Sequence, residues 1–345
     1  MIPSYSIDIF PRLFHFKKPA GTSRGVYTER RSWYVRVASA ACPGREGWGE
    51  CAPLPQLSVD DLPDYEGVLR GICAEVARTG QVDTERWREY SSMLFGLETA
   101  LRHLERGTYA LWDTPFSRGE EGICINGLIW MGDHDAMYGQ IREKLEAGFR
   151  CVKLKIGAIS FEEELDLLRF IRRHFPAREV ELRVDANGAF APAEALDKLK
   201  RLAEFDLHSI EQPIRAGQWD EMAGLTSVSP LPVAFDEELI GHCSLEAKRR
   251  LLDALHPQYI VLKPSLHGGF SGCREWIEEA EKRNVGWWIT SALESNVGLN
   301  AIAQWCATWH TRMPQGLGTG MLFTDNVPMP LEIRKDCLWY VADGD

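Results

Sequence analysis

The 345-residue sequence has no CxxC pair, no HExxH, no P-loop and no GxGxxG behind its early strands. Each absence removes a class of function. Without paired thiols or closely spaced histidines, a zinc centre has no ligand set. Without a glycine-rich cradle, phosphoryl transfer and dinucleotide redox chemistry lack their usual binding loops. The first ten residues lack a basic region followed by an apolar run, so no signal peptide is expected. The longest charge-free stretch late in the chain, residues 295–311, holds two Asn, a Gln and a His, which predicts a core helix and not a membrane span. Positive charge is also short: 39 Lys and Arg stand against 50 Asp and Glu, for a net −11. That balance argues against nucleic acid or an anionic membrane as partner. The nine cysteines are odd in number and unpaired in pattern, which predicts a reduced, cytoplasmic chain.

What is present is ordinary globular composition, 45% hydrophobic and 26% charged, in a chain long enough for two domains. Residues 4–14, 31–41 and 46–52 read as strands, with a loop at 17–29 that carries Gly21, Ser23, Arg24 and Gly25. Residues 60–78 and 92–110 have helical periodicity, so an α+β unit is expected over 1–121. From 122 to 319 the texture alternates. Short apolar runs at 123–130, 150–156, 180–185, 208–211, 232–236, 259–263, 286–291 and 314–319 are separated by charged helical segments. Eight such repeats predict a parallel β/α barrel. The segment 320–345 ends in a strand at 331–341 that is expected to return to the N-terminal unit.

Five of these strands end in, or carry, an ionisable residue: Lys153 and Lys155, then Asp185, Glu211, Asp236 and Lys263. From Lys155 onward the separations are 30, 26, 25 and 27 residues, about one β/α repeat each. One position per repeat gathers them at a single rim, where such barrels carry their chemistry. Three converging carboxylates repel unless a cation neutralises them, and all-oxygen ligation suits Mg²⁺, with Mn²⁺ able to substitute. A network of salt bridges to the lysines is the structural alternative. Lys153 and Lys155 share strand parity and face into the barrel, where each is expected to depress the other's pKa, as a general base near neutral pH requires. Lys263 is expected to face them across the mouth. The set suits abstraction of a proton α to a carboxylate.

The motifs Lys153-Leu154-Lys155, Asp185-Ala186-Asn187, Glu211-Gln212-Pro213, Asp236-Glu237 and Lys263-Pro264 resemble the enolase superfamily, in its muconate-lactonising subgroup. Gly47-Trp48-Gly49-Glu50 and Pro53-Leu54 resemble that family's capping domain. The segments Ser291–Gly298 and Gly316–Thr319, with no Asp-x-Asp on the eighth strand, and the Arg183-x-Asp185 pair resemble the o-succinylbenzoate synthases within it.

The resemblance implies an α/β fold: a modified TIM barrel, (β/α)7β, under an α+β capping domain. It implies Asp185, Glu211 and Asp236 as Mg²⁺ ligands, Lys155 as the base, Lys153 as its tuner and Lys263 as stabiliser of a planar intermediate. The implied substrate is a small dicarboxylate, with Arg24, Leu54, Asn187, Ser291, Gly316 and Gly318 as its contacts. Arg183 and Glu237 are expected to stand behind the ligands and orient them. No obligate protein partner is implied. The implied reaction is syn dehydration of a cyclohexadiene carboxylate to an aromatic product. N-acylamino-acid racemisation, dipeptide epimerisation and cycloisomerisation are the alternatives on the same site, and a non-catalytic dicarboxylate-binding barrel is the alternative of another class. Three lysines, three carboxylates and a divalent ion leave the expected pocket at about +2, whatever the chain's total.

Overall fold

The computed structural model describes residues 5–22 and 25–341. Strands β1 (Tyr5–Thr22), β2 (Gly25–Ser39) and β3 (Glu46–Cys51) form one antiparallel sheet in that order. Within the loop expected at 17–29 the ladder continues: Ala20 pairs with Tyr27 and Gly21 with Val26, after a register shift between His15 and Ala20. Helices α1 (Tyr65–Thr79) and α2 (Ser91–Arg106) lie on the sheet, where Val35, Val37, Leu69, Ile72, Met93 and Leu97 share a core. Gly47 and Gly49 allow this packing, because a Cβ on either would collide with the α2 carbonyls of Ala100 and Gly96.

The sequence run 123–130 divides in two. Strand β4 (Ile123–Cys124) turns away from the barrel, and β5 (Gly127–Ile129) begins it. There follow α3 (His134–Glu146), β6 (Cys151–Lys155), α4 (Phe161–His174), β7 (Glu181–Asp185), α5 (Pro192–Ala203), β8 (Ser209–Glu211), α6 (Trp219–Val228), β9 (Val233–Phe235), α7 (Leu245–Leu255), β10 (Tyr259–Leu262), α8 (Gly269–Glu281), β11 (Gly286–Ile289) and α9 (Asn296–Cys306). The seven strands β5 to β11 are parallel and adjacent in chain order. The eighth strand expected at 314–319 shrinks to two parallel bridges, Ile125 to Gln315 and Thr290 to Gly316, which close the ring. The architecture is therefore (β/α)7β. Sharp starts help: Ser160 and Glu163 form a capping box on α4, whose Leu165, Leu168 and Ile171 are buried.

The last segment returns to the N-terminal unit as expected, but through other residues than its terminal strand. Residues 322–324 run against β1, with a Phe16–Phe323 bridge and a hydrogen bond from the Thr324 amide to the His15 carbonyl. The expected strand at 331–341 is a hairpin, β12 (Leu331–Arg334) and β13 (Cys337–Tyr340), and it pairs with β4 and not with the N-terminal sheet. Lys248 on α7 is buried and donates to the Gly272 carbonyl and Glu275. Gly268 and Gly269 start α8 at positive φ. Among the described residues, no helix is long and apolar enough to cross a membrane.

Two glutamates of the N-terminal unit reach into barrel helices. Glu98, on α2, accepts from the Phe270 amide at 2.6 Å and the Ser271 amide at 3.2 Å, at the start of α8. Glu50, on β3, accepts from the amides of Ser295 and Gly298, both at 3.0 Å, at the start of α9. Each carboxylate satisfies N–H groups that a helix leaves unpaired, and meets the positive end of its dipole. Desolvation lifts the Glu98 carboxyl to about 7 against the lowering by these hydrogen bonds. A carboxyl harder to ionise in the folded chain contributes stability that is complete below its unfolded value and lost as pH rises through the folded one. The Glu98→Gln variant is therefore expected to flatten the fall of the thermal midpoint between about pH 5 and about pH 8. Parallel midpoint curves for the two proteins would remove Glu98 as its source.

Candidate active site

Residues two apart in a strand point the same way, so β6 sends Lys153 and Lys155 inward, one above the other. Lys155 lies level with Asp185 on β7, and Asp185 with Glu211 on β8. Asp236 and Lys263 stand just past the ends of β9 and β10. All six are at one rim and line one cavity of about 850 Å³, counting its open mouth. Asn187, Glu237, Ser291, Gly316, Gly318 and Leu54 line it too. Arg24 lies outside the described residues.

The Lys153 ammonium donates to Glu211 at 2.5 Å and sits 3.1 Å from Asp185 Oδ2. Lys155 donates to the same Oδ2 at 3.2 Å and to Asn187 Oδ1 at 2.7 Å. Asn187, in the left-handed region at φ 44°, passes the contact on by donating to Glu237 at 2.9 Å. Lys263 pairs with Asp236. The mutual depression expected of the two β6 lysines fails for Lys153. Burial does pull its ammonium down, but Asp185 and Glu211 outweigh burial and raise it. Burial also lowers Lys263, and Asp236 and Glu237 outweigh it in the same way.

These ion pairs do not exhaust the negative charge. Four carboxylates face three ammonium groups, because Glu237 joins the wall. Burial and the charge of Asp185 push Glu211 up to about 8, and burial with Asp236 pushes Glu237 up to about 7. Glu211 Oε1, Asp236 Oδ1 and Glu237 Oε2 are buried with no hydrogen-bond partner. A buried carboxylate oxygen without a partner is costly, and a hard cation is the partner that chemistry supplies. The donor set thus fits a divalent ion. Among the described residues, however, no three acidic, histidine or cysteine side chains are already gathered at metal-ligand geometry, since the lysines hold the carboxylates.

Arg183 stands behind the rim as expected, but its hydrogen bonds go to groups other than the rim carboxylates. It lies one step deeper, level with Lys153, donating to Glu181 at 2.7 Å and the Pro314 carbonyl at 3.0 Å, with its guanidinium 4.5 Å from the Trp288 ring centre. It builds the barrel floor instead of orienting a carboxylate of the rim. Several cavity residues are not among the contacts expected from the sequence: Tyr27, Leu57, Trp130, Trp288 and Thr319. Trp130 and Leu128 follow from the same inward alternation on the first barrel strand that reveals the lysines. Trp288 is buried and also lines the cavity. Thr319 and Ser291 share a 2.5 Å hydroxyl contact on the wall.

Residues 136–340 match the family described as enolase C-terminal domain-like. A protein named o-succinylbenzoate synthase, from Desulfotalea psychrophila, is 47% identical over 353 residues, covering 92% of this chain and 94% of that one. The crystal structure of MenC from the same organism superposes with a TM-score of 0.82 at 41% identity, over 97% of this chain and 99% of that one. The L-Ala-D/L-Glu epimerase from Bacillus subtilis superposes with a TM-score of 0.81 at 18% identity, over 99% and 96%, a likeness of fold alone.

Proposed function

The chain belongs to the enolase superfamily, and on that premise we propose that it acts as an o-succinylbenzoate synthase, a lyase of menaquinone biosynthesis. The reaction is the syn dehydration of 2-succinyl-6-hydroxy-2,4-cyclohexadiene-1-carboxylate to 2-succinylbenzoate. The observation that carries it is the facing of Lys155 and Lys263 across a cavity whose carboxylates keep unpartnered buried oxygens. The 47% identity supports this reaction over others of the superfamily. The chain also has no acidic pair on the eighth-strand segment Gly316–Thr319 to hold a dipeptide's ammonium.

Asp185, Glu211 and Asp236 would hold Mg²⁺, with Mn²⁺ as a substitute. When bound, the ion supplies positive charge for the substrate carboxylate and for the negative charge that builds as the α-proton leaves. Lys155 takes that proton and returns it to the departing hydroxide on the same face. Asn187 and Asp185 hold Lys155 in place. Lys153 shares the inward face of β6 with Lys155 and sets a positive charge beside the base. Lys263 stabilises the planar intermediate from the other face by charge and cation–π contact. Leu54, Leu57 and Trp130 exclude water from the ring, while Ser291, Thr319 and the glycine backbone at 316–318 meet the succinyl carboxylate. Aromatisation drives the reaction forward, so the protein need mainly position and polarise.

The test is direct. Purified protein with Mg²⁺ is expected to consume the cyclohexadiene carboxylate, followed by loss of its diene absorbance. Inertness towards that compound, with rapid α-proton exchange of N-succinylamino acids, would assign the site to racemisation.

A further inference from the structure

Cys124 and Cys337 take no part in the site described above. They stand directly opposite one another on β4 and β13, although 213 residues apart in sequence. Their Sγ atoms are 3.6 Å apart, and both are free thiols. The Ile125 amide donates to the Asp336 carbonyl at 2.8 Å, which makes residues 125 and 336 the hydrogen-bonded pair of the ladder. Cys124 and Cys337 therefore fall at the adjoining non-hydrogen-bonded position. There the Cα atoms of an antiparallel pair lie about 4.5 Å apart and the side chains meet on one face. That span is one a disulfide bridges without backbone movement.

Access separates this pair from most of the other thiols. Cys51, Cys73, Cys151, Cys273 and Cys306 are buried, and desolvation raises the pKa of each. Cys124 is exposed. Cys337 is half-buried, and burial, the Cys124 thiol and the Asp336 carboxylate push it up to about 12. Cys124 is thus the thiol that meets an oxidant first, and Cys337 waits behind it.

We propose that Cys124 and Cys337 form a redox-modification site that closes to a cross-strand disulfide when the protein meets a small-molecule disulfide such as oxidised glutathione. The Cys124 thiolate attacks one sulfur of the oxidant, forming a mixed disulfide and expelling one glutathione thiolate. Cys337 then gives up its proton to solvent and attacks the Cys124 sulfur, expelling the second. The protein loses two protons and two electrons, and the oxidant leaves as two thiols. The bond would tie the C-terminal hairpin to the strand that leads into the barrel, so its effect falls on unfolding.

The full-length protein is incubated with oxidised glutathione, quenched with an alkylating agent and mapped by peptide mass. The expected result is a linked peptide joining Cys124 to Cys337, and a thermal midpoint several degrees higher that returns on reduction. The Cys124→Ser variant is expected to show neither, while keeping the reduced protein's midpoint. Glutathione left as a stable adduct on Cys124, both thiols alkylated after exposure, or an unchanged midpoint in the linked protein would each overturn the proposal.

Discussion

Lys155→Ala is expected to lower kcat by about a thousandfold while the melting curve stays close to that of the parent chain. The Lys155 side chain bonds to Asn187 and Asp185, and faces open cavity rather than packed core. Removing it leaves Asp185 still paired with Lys153, so no buried charge is stranded and the fold loses little. What disappears is the proton acceptor, and general-base contributions of this kind are worth about a hundredfold to ten-thousandfold. Lys155→Arg keeps the charge but offers no neutral amine, and is expected to be as inactive as the alanine variant. Steady-state kinetics, a thermal melt and Mg²⁺ titration by calorimetry separate these effects. A rate within tenfold of the parent, in a folded variant that still binds Mg²⁺, would end the one-base mechanism.

Removal of divalent metal is expected to abolish turnover, and Mg²⁺ to restore it. Glu211, Asp236 and Glu237 keep buried oxygens that no protein group satisfies, and burial with the charge of Asp185 lifts Glu211 to about 8. The same argument predicts a change that does not depend on activity. A cation that binds only the folded chain stabilises it by about 2.7 kcal/mol at a hundredfold excess over its Kd. The thermal midpoint of the chelated protein should therefore climb with added Mg²⁺, and Asp236→Asn should blunt the climb. Full activity in metal-free protein, or a midpoint indifferent to Mg²⁺, would leave the lysine ion pairs as the carboxylates' purpose.

The rim was legible because a parallel barrel turns sequence into geometry. Strand parity sets which side chains face inward, and the β/α repeat sets their height, so Lys155, Asp185, Glu211, Asp236 and Lys263 could be gathered without coordinates. The charge state of Lys153 was not legible, because it depends on Asp185 and Glu211 from neighbouring strands, which close on it at 3.1 Å and 2.5 Å. The hairpin across 17–29 was hidden for another reason. Its rungs near Ala20 and Tyr27 join mostly polar, exposed strands that carry no apolar alternation, and Gly21 and Gly25 read as loop. The eighth strand was legible in place at 314–319 but not in extent, since two bridges close the ring where a full ladder was expected. Lys248 shows the limit of charge as a surface signal, since its ammonium is buried yet satisfied by Gly272 and Glu275.

The stitching of late residues onto early ones has a consequence for how the molecule is made. Phe323 closes on Phe16, and β13 supplies the only strand that pairs with β4 among the described residues. A chain leaving the ribosome from its N-terminus holds β1 with that flank open and β4 unpaired until more than three hundred residues have emerged. At about 5 to 20 residues per second, that wait lasts roughly 15 to 60 seconds for β1 and roughly 10 to 40 seconds for β4, whose Cys124 is 213 residues ahead of Cys337. The barrel can collapse in that interval, but the two edges stay exposed to other nascent chains. The polar, lysine-bearing stretch of β1 around Lys17 and Lys18 is the kind of edge that tolerates such a wait.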